Sequence, residues 1–196
     1  MKNIVLCLFC LVLFSVSCEK KNNTDQSLTK KERVKQEIDL ILDSLNSSWN
    51  TMNASDDGKI KDIKRLLDEV SYTGKYNAPL HESLLTSHRQ LLSKRYDAIT
   101  MESSPKIDSY DQATDSLLRD TYKLVNTTPE IENHPIAKTL IDDIQKADND
   151  LVLYRARYDR WVKEYNNYIE KHEDKLEKLG SPYNALSKKP MFSLQK

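Results

Sequence analysis

From Val34 onward, apolar side chains recur in steps of three and four: Val34, Ile38, Ile41/Leu42, Leu45, Trp49, Met52, then Ile60, Ile63, Leu66/Leu67 and Val70. Such steps lay a single stripe along a helix. The polar stretch Asn53 to Gly58 between the two runs reads as part of one continuous or kinked helix, because an interior glycine costs only about 1 kcal/mol relative to alanine. Gly74 and Pro79 end it. A second run, Leu80 to Ile99, repeats Leu84/Leu85, His88, Leu91/Leu92, Tyr96 and Ile99. Pro105 opens a third, through Ile107, Tyr110, Thr114, Leu117, Thr121 and Leu124, which Asn126-Thr127-Thr128-Pro129 stops. From Ile136 to Leu179 there is neither glycine nor proline, and the seam continues from Ala137 through Tyr158, Tyr165 and His172 to Leu179. As a single helix that stretch is about 65 Å long.

Short connections between such segments favour antiparallel neighbours. The pattern therefore predicts an all-α, antiparallel four-helix bundle over residues 30–179, with long first and last helices. The middle pair is expected to cover half of the outer pair, leaving a two-helix stalk near Trp49 and Trp161. The tail, residues 180–196, carries Tyr183, Met191 and Phe192 without helical period, and either folds back on the bundle or serves as a partner-binding strip. Composition agrees: 38% apolar and 31% charged residues suit helices that bury one stripe each. Lys+Arg and Asp+Glu are equal at 30 each, which argues against a globally basic nucleic-acid binder.

The amino terminus speaks to the compartment. Ile4 to Val16 is an apolar run after Lys2, too short for the roughly 20 residues that cross a bilayer, and so reads as a signal-peptide core. It closes on Ser15-Val16-Ser17-Cys18 before the polar Glu19-Lys20-Lys21, which resembles a bacterial lipoprotein signal, although Ser15 stands where that pattern prefers leucine. An ordinary cleaved signal is the alternative. In the lipoprotein reading residues 1–17 are removed, Cys18 is lipidated, and residues 18–29 form a polar tether. Cys7 and Cys10 depart with the leader, and the remaining thiol cannot form an internal disulfide. Acyl chains at about 0.8 kcal/mol per buried methylene would give it a use. The expected location is the cell envelope, at the outer rather than the inner membrane, with the bundle outside the cytoplasm.

Further along, Pro129-Glu130-Ile131, Leu140-Ile141-Asp142-Asp143-Ile144, Asp148-Asn149-Asp150-Leu151, Arg155-Ala156-Arg157-Tyr158-Asp159 and Tyr165-Asn166-Asn167-Tyr168-Ile169 occur in uninterrupted order. This resembles the carboxy-terminal half of the LemA family, strongly over 129–169 and more faintly back to Trp49. Two departures stand out: Asp62-Ile63-Lys64-Arg65-Leu66 lacks the family's proline, and a lipoprotein signal replaces the usual amino-terminal membrane helix. The resemblance implies an antiparallel helical bundle facing outward from a membrane. It implies no catalytic activity.

Candidate chemistry is sparse. His81 and His88 are seven positions apart, about 10 Å along a helix, and read as satisfied or surface side chains rather than metal ligands. No glutamate stands three positions before any histidine, as a di-iron bundle requires. Asp142/Asp143 and Asp148/Asp150 read as an ion-paired helix face. No catalytic residue, metal site or cofactor is assigned. The most distinctive residues are aromatic. Tyr158, Trp161, Tyr165 and Tyr168, with Tyr183 and Phe192 of the tail, are the candidate partner-binding residues, since such side chains bury area while keeping a polar handle. At helical spacing those of the last helix also suit a core seam. Asn166 reads as an interhelical hydrogen-bond residue. Two functions remain open: a lipid-anchored, non-enzymatic scaffold or adaptor for another envelope protein, or a surface lipoprotein that binds a small molecule or glycan in an aromatic-lined groove. Neither involves nucleic acid.

Overall fold

The computed structural model describes residues 29–192; residues 1–28, Cys18 and the expected leader among them, and residues 193–196 lie outside the described residues. Five α-helices and no strand occur among the described residues: α1 (Lys30–Tyr72), α2 (Ala78–Leu92), α3 (Ser104–Thr127), α4 (Pro135–Lys171) and α5 (Glu173–Leu179). The long α1 and α4 pack antiparallel along most of their length.

α1 runs unbroken for 43 residues, about 65 Å, straight through the polar stretch at Asn53–Gly58. Its start is fixed by a capping box: Glu32 N–H donates to Thr29 Oγ1 at 3.2 Å, and Thr29 N–H donates to Glu32 Oε2 at 2.8 Å. Its end is fixed by Gly74 at φ 67, a left-handed conformation that an L side chain resists.

Two cores share this axis. One gathers Ile60, Ile63, Leu66, Leu67 and Val70 of α1 with Leu84 and Leu91 of α2, Leu117 and Leu124 of α3, and Leu140 and Ile144 of α4. The other joins Val34, Ile38 and Leu45 of α1 to Tyr158, Val162, Tyr165 and Ile169 of α4 and Leu176 of α5. Each such side chain contributes about 1.5–3 kcal/mol on full burial. The α2–α3 hairpin thus serves mainly one half of the outer pair, as the pattern predicted, but Met101 of the connection and Ile107 of α3 also reach the other core. The other half is not a bare two-helix stalk, because α5 and residues 183–192 fold back and pack against it.

Two boundaries differ from the sequence reading. The last helix was expected to continue to Leu179, but it bends at His172, where φ is −118 and ψ 19, and resumes as α5. The cause is the end of its partner. Tyr168 Oη lies 3.2 Å from the Val34 carbonyl, so only one turn of α1 remains beyond that level. A straight helix would carry Leu176 into solvent, whereas the bend returns it to the core at 3% exposure. The acidic Glu173 and Asp174 suit the new helix start.

Likewise α2 ends at Leu92 rather than near Ile99, and Ile99 is 81% exposed instead of lying in the seam. The chain leaves the helix so that Arg95 can reach α1, where its Nη2 lies 3.2 Å from Asp56 and its Nη1 pairs with Asp57. Asp97 Oδ1 then accepts the backbone N–H groups of Ile99 and Thr100 and starts a 3-10 turn.

Candidate functional site

The junction of the two cores is polar. Asp56 of α1 accepts hydrogen bonds from Tyr110 Oη of α3 and, at 3.2 Å, from Arg95. Lys59, one turn on, has a side chain only 1% exposed and lies 3.0 Å from Asp148 and 3.4 Å from Asp56. Arg155 of α4 holds Asp111 of α3 through Nη1 at 2.8 Å and Nη2 at 2.7 Å, and Nη2 also donates to Tyr96 Oη at 3.0 Å. Burial alone lowers the Arg155 pKa, but Asp111 and Tyr96 outweigh it, and the guanidinium stays charged. Tyr110 is pushed upward by burial and then by the Asp56 charge; Tyr96 is raised by burial against the opposing pull of Arg155. A cavity of about 20 Å³ between Asp56, Arg95, Tyr96, Tyr110 and Arg155 has room for a single water. Asp56 Oδ1 and Arg155 Nε, both buried and without a hydrogen-bond partner among the described residues, are the atoms such a water could serve. These carboxylates are neutralised by fixed cations, which suits a structural clasp between helices.

Directly beside this clasp is an aromatic cage. Trp49 of α1 meets Tyr158 of α4 at 5.1 Å between ring centres and Tyr96 at 6.4 Å. Phe192 of the tail fills the space between them. Its ring stacks on Trp49 at 6.5 Å and 12°, and meets Tyr96 at 6.0 Å and Tyr158 at 5.7 Å edge-on. The Arg155 guanidinium lies over the same ring at 4.9 Å.

The tail reaches the cage along α4. Tyr165 Oη donates to the Ser187 carbonyl at 3.1 Å. Asn166 Nδ2 donates to the Lys189 carbonyl at 2.8 Å while Asn166 Oδ1 accepts the Lys189 N–H at 2.8 Å. Phe192 N–H donates to Asp159 Oδ1 at 2.8 Å.

The six aromatic residues singled out from sequence therefore divide. Tyr158 and Tyr165 are each 1% exposed, with rings in the core beneath the tail; burial, then the Asp159 charge, pushes Tyr158 up to about 12. Tyr168 Oη donates to Glu37 at 2.9 Å and Tyr183 Oη to Asp39 at 2.9 Å, so both tie the carboxy-terminal region to α1. Phe192 closes the cage. Trp161 is half-buried and lines an open groove of about 390 Å³ with Ser44, Ser47, Thr51 and Arg157. Cys18 lies outside the described residues.

Sequence reasoning did not assign Arg155, Asp111, Tyr96 or Trp49 to a site. The signal available was Arg155 within the family-like Arg155-Ala156-Arg157-Tyr158-Asp159 run. Asn166 was expected to bridge helices and instead binds the tail backbone. His81 and His88 each bond to α1 through one ring nitrogen: their Nε2 atoms lie 2.9 Å and 3.0 Å from the carbonyls of Leu67 and Ile60, while His81 Nδ1 is buried without a hydrogen-bond partner among the described residues. A carbonyl only accepts, so the proton is on Nε2 in both rings.

A long helical pair, a short hairpin over one half and a returning tail over the other define an all-α bundle protein whose most elaborate feature is a tail-filled groove. Residues 62–196 match the LemA family, and the chain belongs to it. The match covers the last quarter of α1 and everything after it, including the returning tail. No curated protein and no solved structure matches the chain.

Proposed function

We propose that this LemA-family protein is a lipid-anchored, non-enzymatic helical protein of the bacterial cell envelope that holds another envelope protein. The observation that carries this reading is the tail groove. An extended segment is held there by side-chain contacts to its backbone and by one aromatic anchor, which is how proteins recognise peptides. The leader followed by Ser17-Cys18 supports anchoring through Cys18, with residues 18–29 as the tether and the bundle outside the cytoplasm. Among the described residues no helix is long and apolar enough to cross a membrane. The pairing of Asp148, Asp56 and Asp111 at the junction of the two cores with Lys59, Arg95 and Arg155 supports a structural rather than catalytic use.

The test has two arms. Cys18→Ser should move the protein from the membrane fraction to the soluble fraction. A photocrosslinking residue at position 188, in intact cells, should yield one discrete adduct with another envelope protein. Adducts confined to the protein itself would remove the scaffold reading, and unchanged membrane retention of the Cys18→Ser variant would remove the anchor.

A second reading rests on the Trp161 groove, whose aromatic ring and flanking hydroxyls suit a glycan face. Ser44 and Thr51 already donate to carbonyls of their own helix at 2.8 Å, leaving their oxygens to act as acceptors. Thermal stabilisation by envelope oligosaccharides, lost on Trp161→Ala, would favour it.

A further inference from the structure

Residues 187–192 lie antiparallel to α4 as an extended strap. Lys188 pairs with Glu170 at 2.8 Å, Lys189 with Asn166 at 2.8 Å in both directions, and Phe192 N–H with Asp159 at 2.8 Å. The two inner anchor points are matched in length. From Asn166 back to Asp159 a helix rises about 10 Å, and from Lys189 to Phe192 an extended chain covers about the same distance.

The chemistry of the two anchors is complementary. Asn166 gives an N–H to, and takes an N–H from, the backbone of one residue, so it reads an extended chain whatever its side chain, proline excepted. The cage reads one side chain. Three aromatic rings alone would also suit an ammonium group. Arg155, charged and 4.9 Å from the ring centre of the occupant, makes a cation unwelcome and an aromatic ring welcome. Beyond the clamp, a cavity of about 630 Å³ is rimmed by Glu170, Glu173 and Glu177, which favours basic residues ahead of the clamped position.

The strap itself sits like a ligand. Ser187 and Lys188 are exposed and Lys189 to Phe192 only half-buried, whereas Tyr158 and Tyr165 beneath are 1% exposed. Gly180, at φ 80, and a single 3-10 turn at Tyr183–Ala185 connect the strap to α5.

We propose that this groove is a peptide-recognition site which the chain fills with its own tail, and that an extended segment of the partner enters it by displacing the tail. The segment has a basic residue, then the clamped residue, then an aromatic side chain three positions further on, the spacing of Lys188, Lys189 and Phe192. The proposal rests on the scaffold reading and names the chemistry of the partner. A tethered tail competes at an effective concentration of roughly millimolar, so the site is closed by default and opens only to a segment that binds better or is itself held nearby.

The test uses the purified mature chain and a fluorescein-labelled peptide carrying residues 187–192, so it reads the groove independently of any crosslinked partner in cells. Phe192→Ala in the full chain should bind the peptide at least tenfold more tightly than the unsubstituted chain does. Adding Asn166→Ala, or replacing the peptide's phenylalanine by alanine, should abolish that gain. A Phe192→Ala chain that keeps its circular dichroism yet binds no better overturns the proposal. Hydrogen exchange on the unsubstituted protein gives a second readout. The Lys189 and Phe192 amides should exchange at least a hundredfold faster than the slowest amides of α4, and exchange at the same rate as those amides also overturns it.

Discussion

Arg155 grips Asp111 through paired hydrogen bonds of 2.7 and 2.8 Å and so ties α4 to α3 beside the ring of Phe192. This pairing joins the polar clasp to the aromatic cage. Replacing Arg155 by Met leaves Asp111 without its cation and Tyr96 Oη without its donor. The pair is a fifth to a third exposed, which lowers the cost from that of a fully buried one. Arg155→Met should destabilise by about 2 kcal/mol, read as a lower urea midpoint, and the Arg155→Met/Asp111→Leu double variant should recover part of the loss.

Lys59 is the more deeply placed cation. With 1% of its side chain exposed, it lies between Asp148 and Asp56. Lys59→Met would leave two carboxylates facing each other across the α1–α4 seam. The expected loss is about 2–4 kcal/mol, measured by chemical denaturation at pH 7 and reduced when Asp148→Asn is combined with it.

Asn166→Ala removes both hydrogen bonds to Lys189 while leaving the helix intact. The global cost should be about 1–2 kcal/mol. The specific consequence is local: loss of the strap uncovers the Trp49 face that Phe192 stacks on, so the tryptophan emission should shift to longer wavelength without loss of helicity.

Gly58 sits inside α1, and a Cβ placed on it would meet nothing within 4 Å. Gly58→Ala should therefore stabilise the protein by about 0.5–1 kcal/mol, through helix propensity alone, with a matching rise in thermal midpoint.

Alkali should unfold the protein by way of its tyrosines. Burial raises Tyr96, Tyr110 and Tyr158, the last to about 12 from an ordinary value of 10.0. A group raised on folding prefers to stay protonated in the native state, so its contribution is complete below the unfolded value and disappears as pH climbs through the folded one. The thermal midpoint should hold from neutrality to about pH 9 and fall between about pH 10 and 12, with the buried phenols ionising together as absorbance at about 295 nm rises. At the acid end the carboxylates of Glu32, Asp39 and Asp97 are held below their ordinary values by backbone or lysine donors, and their contribution is lost as pH falls through those lowered values. Glu32 and Asp97 are exposed and Asp39 is half-buried at most, so the acid decline should be much shallower.

The chain by itself determined what repeats along it. Spacing of three and four from Val34 to Val70 and from Ala137 to Ile169 specifies two long helices. Those seams carry most of the buried residues of α1 and α4, apart from the buried Ser48 and Lys59, and are only half-buried over the stretch Ala147 to Tyr154. Gly74, Pro79 and Pro105 mark ends and starts because their backbone limits act within a residue or two. The family was legible for the same reason, in a run of residues on one helix.

Tertiary structure decided what depends on where a partner stops and what lies across from it. The bend at His172 follows from the end of α1, and the contact that sets its level, Tyr168 with Val34, joins residues 134 positions apart. The short α2 follows from the reach of Arg95 to Asp56, and the docking of the tail from Tyr183 meeting Asp39 and Phe192 meeting Trp49. Periodicity states which face of a helix avoids water; only long-range packing selects the aromatic rings that face one another, and there it gathered Trp49, Tyr96 and Tyr158 around one side chain of the tail.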